Sequence, residues 1–295
     1  MNLRAPLAAA FLAALLPAVA IAAGDFRYGI DSDLAHDSNV SRGLADADTV
    51  ADRIVTIEGS ATRSVLLGPE SGLLLRAAAR YARYLDLTDL SHFGLAGRAA
   101  WRTQRDRSFG SPWYEVAVDG LYLRHADSEL RDGFQLSLSG SIGSHLTDRV
   151  RVAGGVAFDK RSGGGLGLYD LTGNRLWATL DYRVGLRDVA YARLTRSAGE
   201  QVFTAISAAS QALLLQSGYT ILAADTALAD GFGGVATTAY RADATSWNYE
   251  LGYNLPISRT RTLDFSFGYF VAKTDLGAYQ YDGLQARAAY LYRFQ

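Results

Sequence analysis

The chain has 295 residues, with 29 Lys and Arg against 30 Asp and Glu, and no cysteine. A formal net charge of −1 gives no field to attract a polyanion, which argues against a nucleic-acid partner. Without thiols there is no disulfide and no thiolate-held zinc or iron–sulfur centre.

Residues 1–22 read as a secretory signal peptide. Arg4 precedes an apolar run from Leu7 to Ala22, and Ala18-Val19-Ala20 and Ala20-Ile21-Ala22 both offer the small-x-small pattern of a cleavage site. The alternative, a membrane anchor, has a short apolar core, and a period-two pattern begins directly after it. Residues 23–295, about 270 in all, then form one large domain or two small ones. No second run is long enough for a transmembrane helix. Glycine and tyrosine are abundant and proline is rare, at 30, 17 and 5 residues.

Phe26, Tyr28 and Ile30 alternate with Arg27, Gly29 and Asp31, which predicts a strand. Ala35 to Asp48 is polar and reads as a loop. Its DSNVSR stretch, Asp37 to Arg42, resembles the entry motif of uncharacterised outer-membrane barrels, including those of surface-lipoprotein assembly modifiers; an Asp–Ser–Asn turn is also ordinary loop chemistry. Strands follow around Arg53–Leu67 and, after a Gly68–Gly72 turn, along Leu73–Tyr81, with Arg76 and Arg80 opposite the apolar face. Leu85–Ser91 is a short loop, and Phe93 to Trp101 alternate with His92, Arg98 and Arg102.

The same design repeats. Tyr114, Val116, Val118 and Tyr122 stand against Glu115 and Asp119, and Phe134 to Leu146 against a serine-rich face ending in His145. A Thr147-Asp148 turn leads to Val150–Phe158, opposed by Arg149, Arg151 and Asp159. Beyond a glycine-rich loop from Lys160 to Asn174, Leu176–Val184 opposes Arg175, Asp181 and Arg183. From Thr195 to about Tyr240 the period blurs. A segment of that length is usually functional or folded on itself, here as an external hairpin, an inward plug, or one more spanning pair. Clear alternation resumes at Thr245–Leu255 and Leu263–Val271.

The closing stretch YDGLQARAAYLYRF, Tyr281 to Phe294, carries Leu284, Ala286, Ala288, Tyr290, Tyr292 and Phe294 on one face and Gln285, Arg287 and Arg293 on the other. Its aromatics gather at one end, as in a girdle at a water–lipid boundary. Arg287, Ala289, Tyr292 and Phe294 fill the places of a pattern that resembles the terminal assembly signal of bacterial outer-membrane β-barrels, with Ala289 where Gly is usual and Gln295 trailing. The resemblance implies export to the outer membrane of a Gram-negative bacterium, with its lipid and the barrel-assembly machinery as partners.

The expected fold is all-β: a transmembrane antiparallel up-and-down β-barrel of about 12 strands, or 14 if the blurred segment spans. Short and long connections alternate, the long ones at Ala35, His125, Lys160 and Thr195 falling on one side. A soluble sandwich would not need aromatic outward faces on nearly every strand. Inside, the pattern collects Arg76, Arg80, Arg98, Arg149, Arg151, Arg175 and Arg183 with Asp181, Glu115 and Asp119. These could be salt bridges that brace the wall, or an arginine ladder passing small anionic or sugar-like solutes. A non-conducting scaffold for surface assembly or for polysaccharide or lipoprotein export is the other reading, with Leu213-Leu214-Leu215 as a contact. The four histidines are scattered, with His36 beside Asp37 and His125 near Asp127 expected as solvated loop groups, so no enzyme, metal site or cofactor is expected. Gly163-Gly164-Gly165 lacks the helix and lysine of a phosphate cradle.

Overall fold

Strands with one greasy and one wet face satisfy their backbone and both environments together only by closing into a ring. The computed structural model of the protein describes residues 26–43, 46–106, 108–164, 167–206, 211–212, 216, 222–235, 237–274 and 280–294. The signal peptide at 1–22 and Leu213 to Leu215 lie outside the described residues, as does Gly165. In chain order the strands are β1 (Arg27–Asp37), β2 (Asp52–Leu66), β3 (Ser71–Tyr84), β4 (His92–Gln104), β5 (Trp113–His125), β6 (Gly133–His145), β7 (Val150–Gly163), β8 (Leu171–Arg183), β9 (Val189–Ala205), β10 (Leu222–Asp225), β11 (Thr237–Pro256), β12 (Arg261–Thr274) and β13 (Gln280–Arg293).

Twelve of these close a barrel. β1 to β9 pair in sequence, then β9 with β11, β11 with β12, β12 with β13, and β13 with β1. The seam between the ends of the chain runs antiparallel from Gly29 opposite Arg293 to Asp37 opposite Gln285. The count is twelve rather than fourteen because β10, with 4 residues, is far shorter than the ~9–11 residues a membrane strand needs. The blurred segment is strand at both its ends: β9 continues to Ala205 and β11 begins at Thr237. Three expected loop stretches also belong to strands, namely Ala35–Asp37, Lys160–Gly163 and Leu171–Asn174. There the ladder continues after the outward residues turn polar, so hydropathy loses a strand that hydrogen bonding keeps.

Side chains sort as the period demands. Phe158, Ile57 and Leu251 are exposed on the outer wall at 64%, 55% and 66%, a large cost in water and none in lipid. Ala100, Ala117, Ala157 and Ala289 are buried on the inner wall. The connections at 67–70, 105–112, 146–149, 184–188 and 257–260 share one end, here the turn end. The connections at 38–51, 85–91, 126–132, 164–170 and 206–236 share the other, the loop end.

Candidate functional site: the lumen and its covered mouth

Charges projected inward by the strand register meet partners on neighbouring strands. Arg98 on β4 donates to both Asp119 oxygens at 2.8 Å and to Glu115 at 2.7 Å, both on β5. Glu115 also accepts from Arg102, whose guanidinium stacks on the Trp113 ring at 4.4 Å. Arg76 pairs with Glu58, Arg151 with Asp181 at 2.6 Å, and Arg175 with Asp159 at 3.1 Å. Around the rest of the wall, Arg193 reaches Glu250 at 3.1 Å, Arg287 reaches Asp33 and Asp264 at 3.4 Å each, and Arg293 pairs with Asp31. Most of these groups are partly wet, so each pair adds only about 0–1 kcal/mol. Together they brace the wall from strand to strand.

Arg80, Arg149 and Arg183 form no ion pair among the described residues. Arg80 lies over Gly94, and its Nε is buried without an acceptor among the described residues. Arg76, Arg80, Arg98 and Arg175 line one lumenal cavity of about 470 Å³, facing Glu58 and Asp119. Arg149, Arg151 and Arg183 line a second of about 530 Å³ with Asp181, Arg193, Glu250 and Asp264, which reaches the turn end at Asp148. The ten inward candidates therefore divide into two groups, with Glu115 bridging Arg98 and Arg102. Sequence reasoning missed Arg193, although its alternation with the exposed Leu194 marks it as inward. Aromatic rings narrow the lumen further: Trp113 lies against Gly143 and Tyr191 against Gly252, where an added Cβ would collide with the ring.

The loop end is covered. β9 leaves β8 at Gly199, the last β9 residue paired to it, and β11 leaves β12 at Ala244, directly opposite Gly199. Gly199 has φ +131, and a Cβ there would strike the Thr172 carbonyl oxygen. Beyond this bend β10 replaces β12 beside β11, with Asp225 opposite Thr237. Both faces of the projecting hairpin are buried. One packs Phe203 and Tyr240, stacked at 5.5 Å, against Phe270 and Tyr281 of the opposing β12–β13 wall. The other packs Val202 and Ala239 against Leu130, Leu168 and Tyr169 of two neighbouring loops.

Past β10, Ala227 and Leu228 bury against Leu87 and Leu90. Those two residues join β3 to β4, on the opposite side of a twelve-strand ring from β11, so the segment crosses the mouth. A pin holds it: Asp225, whose side chain is 2% exposed, accepts from Arg131 at 2.7 Å, from the Ala227 N–H at 3.0 Å and from the Tyr169 hydroxyl at 3.4 Å. Burial beside this carboxylate pushes the Tyr169 hydroxyl up to about 12.

The DSNVSR stretch folds inward beneath the cap instead of into solvent. Asp37 accepts from the Asn39 N–H at 2.9 Å and from Arg42 at 2.9 Å, Asn39 donates to Asp282 O at 2.9 Å, and Arg42 lies 4.1 Å over the Phe270 ring. Asp37 is thus buried, while neighbouring His36 faces out and is exposed. His125 is likewise not solvated beside Asp127. It faces inward opposite His92, ring centroids 5.0 Å apart, and its partner is Asp132 at 3.3 Å.

On the outer wall Tyr290 and Phe294 are exposed, and Tyr292 meets Phe294 edge-on at 4.9 Å. These features define the class: an outer-membrane-type β-barrel with a polar lumen and an inward-folded cap. No family model and no curated protein matches the chain. Among solved structures, an outer membrane channel from Pseudomonas putida F1 superposes with a TM-score of 0.59 at 12% identity, covering 92% of this chain and 97% of that one. The KdgM porin in complex with disordered oligogalacturonate gives 0.45 at 11% identity, over 90% of this chain and 99% of that one. The translocator domain of the autotransporter NalP from Neisseria meningitidis gives 0.44 at 11%, over 98% and 96%. The first likeness shows a shared fold, a closed β-barrel of the outer-membrane type.

Proposed function

We propose that this protein is a gated channel of the Gram-negative outer membrane, exported by its signal peptide, with the loop end outside and its mouth shut by the β9–β11 cap in the state described. The solutes are small and hydrophilic, anionic or sugar-like. The observation that carries this is a wet lumen lined by Arg80, Arg149 and Arg183, which form no ion pair among the described residues although carboxylates share their cavities. Unpaired guanidinium groups along a path favour carboxylates and hydroxyl-rich solutes over cations. The protein's task in this reading is passage and not catalysis.

The test is conductance in planar bilayers. Wild type should be mostly closed, and Asp225→Ala, which unpins the cap, should raise the open fraction at least tenfold. Adding Arg80→Ala and Arg149→Ala should move the reversal potential in a KCl gradient toward cation preference. A folded Asp225→Ala barrel that stays silent would overturn the channel. That outcome favours a non-conducting scaffold for surface assembly or export, a reading supported by the extent of ion pairing across the inner wall.

A further inference from the structure

The outer wall carries a charge pattern that neither lumen nor cap uses. On β3 the five outward positions from Leu73 to Tyr81 are followed by Arg83. On β5 the five from Tyr114 to Tyr122 are followed by Arg124, and on β7 the five from Val150 to Phe158 by Lys160. Nine residues at ~3.3 Å each, tilted ~40°, rise about 23 Å, the height of a barrel's apolar band. Each cation therefore stands just above the band at the loop end, two residues past an aromatic. All three are exposed and form no ion pair among the described residues.

The matching positions at the turn end of the same strands are Ser71, Pro112 and Asp148, so the charge belongs to one leaflet. β12 repeats the spacing with Lys273, but Arg261 sits at its other end and Asp282 lies on the adjacent strand; Arg53 at the loop end of β2 pairs with Asp86, and Arg196 on β9 lies over the Trp247 ring, which leaves the basic arc on β3–β7. Beneath Lys160 the wall is hollowed. Gly140 and Gly154 face outward, and with Ile142, Val156 and Leu176 they line an apolar groove of about 680 Å³.

We propose that this arc and groove form a binding site for a phosphorylated glycolipid of the outer leaflet. Its phosphates engage Arg83, Arg124 and Lys160, and an acyl chain lies along Gly140 and Gly154. The charge fits: fixed cations at headgroup depth attract phosphates, and a guanidinium takes phosphate oxygens bidentately. The site rests on the membrane placement above and is independent of whether the lumen conducts.

The experiment is native mass spectrometry of the full-length barrel in detergent with diphosphoryl lipid A, monophosphoryl lipid A or phosphatidylcholine. Wild type should retain the diphosphoryl lipid at least tenfold better than phosphatidylcholine, with the monophosphoryl form between. The triple variant Arg83→Gln, Arg124→Gln, Lys160→Gln should lose that preference, while Arg261→Gln keeps it. Equal retention of all three lipids by wild type, or an unchanged preference in the triple variant, would overturn the site. The wild-type lipid series decides the matter even if the triple variant does not fold. Insertion into phosphatidylcholine nanodiscs separates the two claims: a barrel that inserts but shows no lipid preference refutes this site alone, and one that fails to insert refutes the membrane placement.

Discussion

Asp225 is the residue on which the closed mouth depends. It is a buried carboxylate on a four-residue strand, and its acceptors are filled by a guanidinium, a backbone N–H and a phenol. Removing the carboxylate strands Arg131 in a dry site, and breaking one partner of such a pair costs about 3–5 kcal/mol. Hydrogen exchange at the amides of 222–240 should accelerate in Asp225→Ala while the strands below the bend stay protected. Tyr169 adds a pH dependence of known sign. Its folded value of about 12 lies above the ordinary 10.0, so its stabilising contribution is complete below pH 10 and is lost as pH rises through 12. From pH 10 upward the phenol ionises first in the opened cap, which gains population until the folded hydroxyl also ionises near 12, and the cap amides should exchange faster. In Tyr169→Phe that alkaline acceleration should be absent.

At the scale of elements, the bend between wall and cap is set by one pair, Gly199 opposite Ala244. A side chain at Gly199 meets both an unfavourable φ and the Thr172 carbonyl, so Gly199→Val should cost ~1–3 kcal/mol. It should also straighten the hairpin, visible as a raised open fraction in bilayers without loss of barrel content by circular dichroism. This element was the least legible in the sequence. Blurring over Thr195–Tyr240 has a physical cause: Phe203, Tyr240, Val202 and Ala239 bury both faces of the hairpin, so apolar residues no longer alternate with polar ones. By contrast the apolar faces of β3, β5 and β7 were readable residue by residue, because lipid on one side and water on the other leave a strict period. DSNVSR was legible as a turn but not as a lumenal knot, since its partners Asp282 and Phe270 lie over two hundred residues away.

For the whole molecule, closure is the decisive event, and it joins the two ends of the chain. β13 pairs with β1, and the exposed Tyr290 and Phe294 lie along that seam. Deleting Tyr290 to Phe294 should leave strands without a seam. The heat-modifiable compact band on an unboiled gel should vanish, whereas Phe294→Ala alone should slow its appearance several-fold.

The alternation of side chains determined by itself that this chain is a barrel, which face of each strand meets lipid, and which arginines turn inward, because those properties depend on period and on nothing distant. Which arginines find carboxylates was decided by the register of neighbouring strands, and whether the mouth stands open only when the ring closed. Ion pairing needs strands in register and a cap needs an opposite rim to rest on, and neither exists until residues remote in sequence stand side by side.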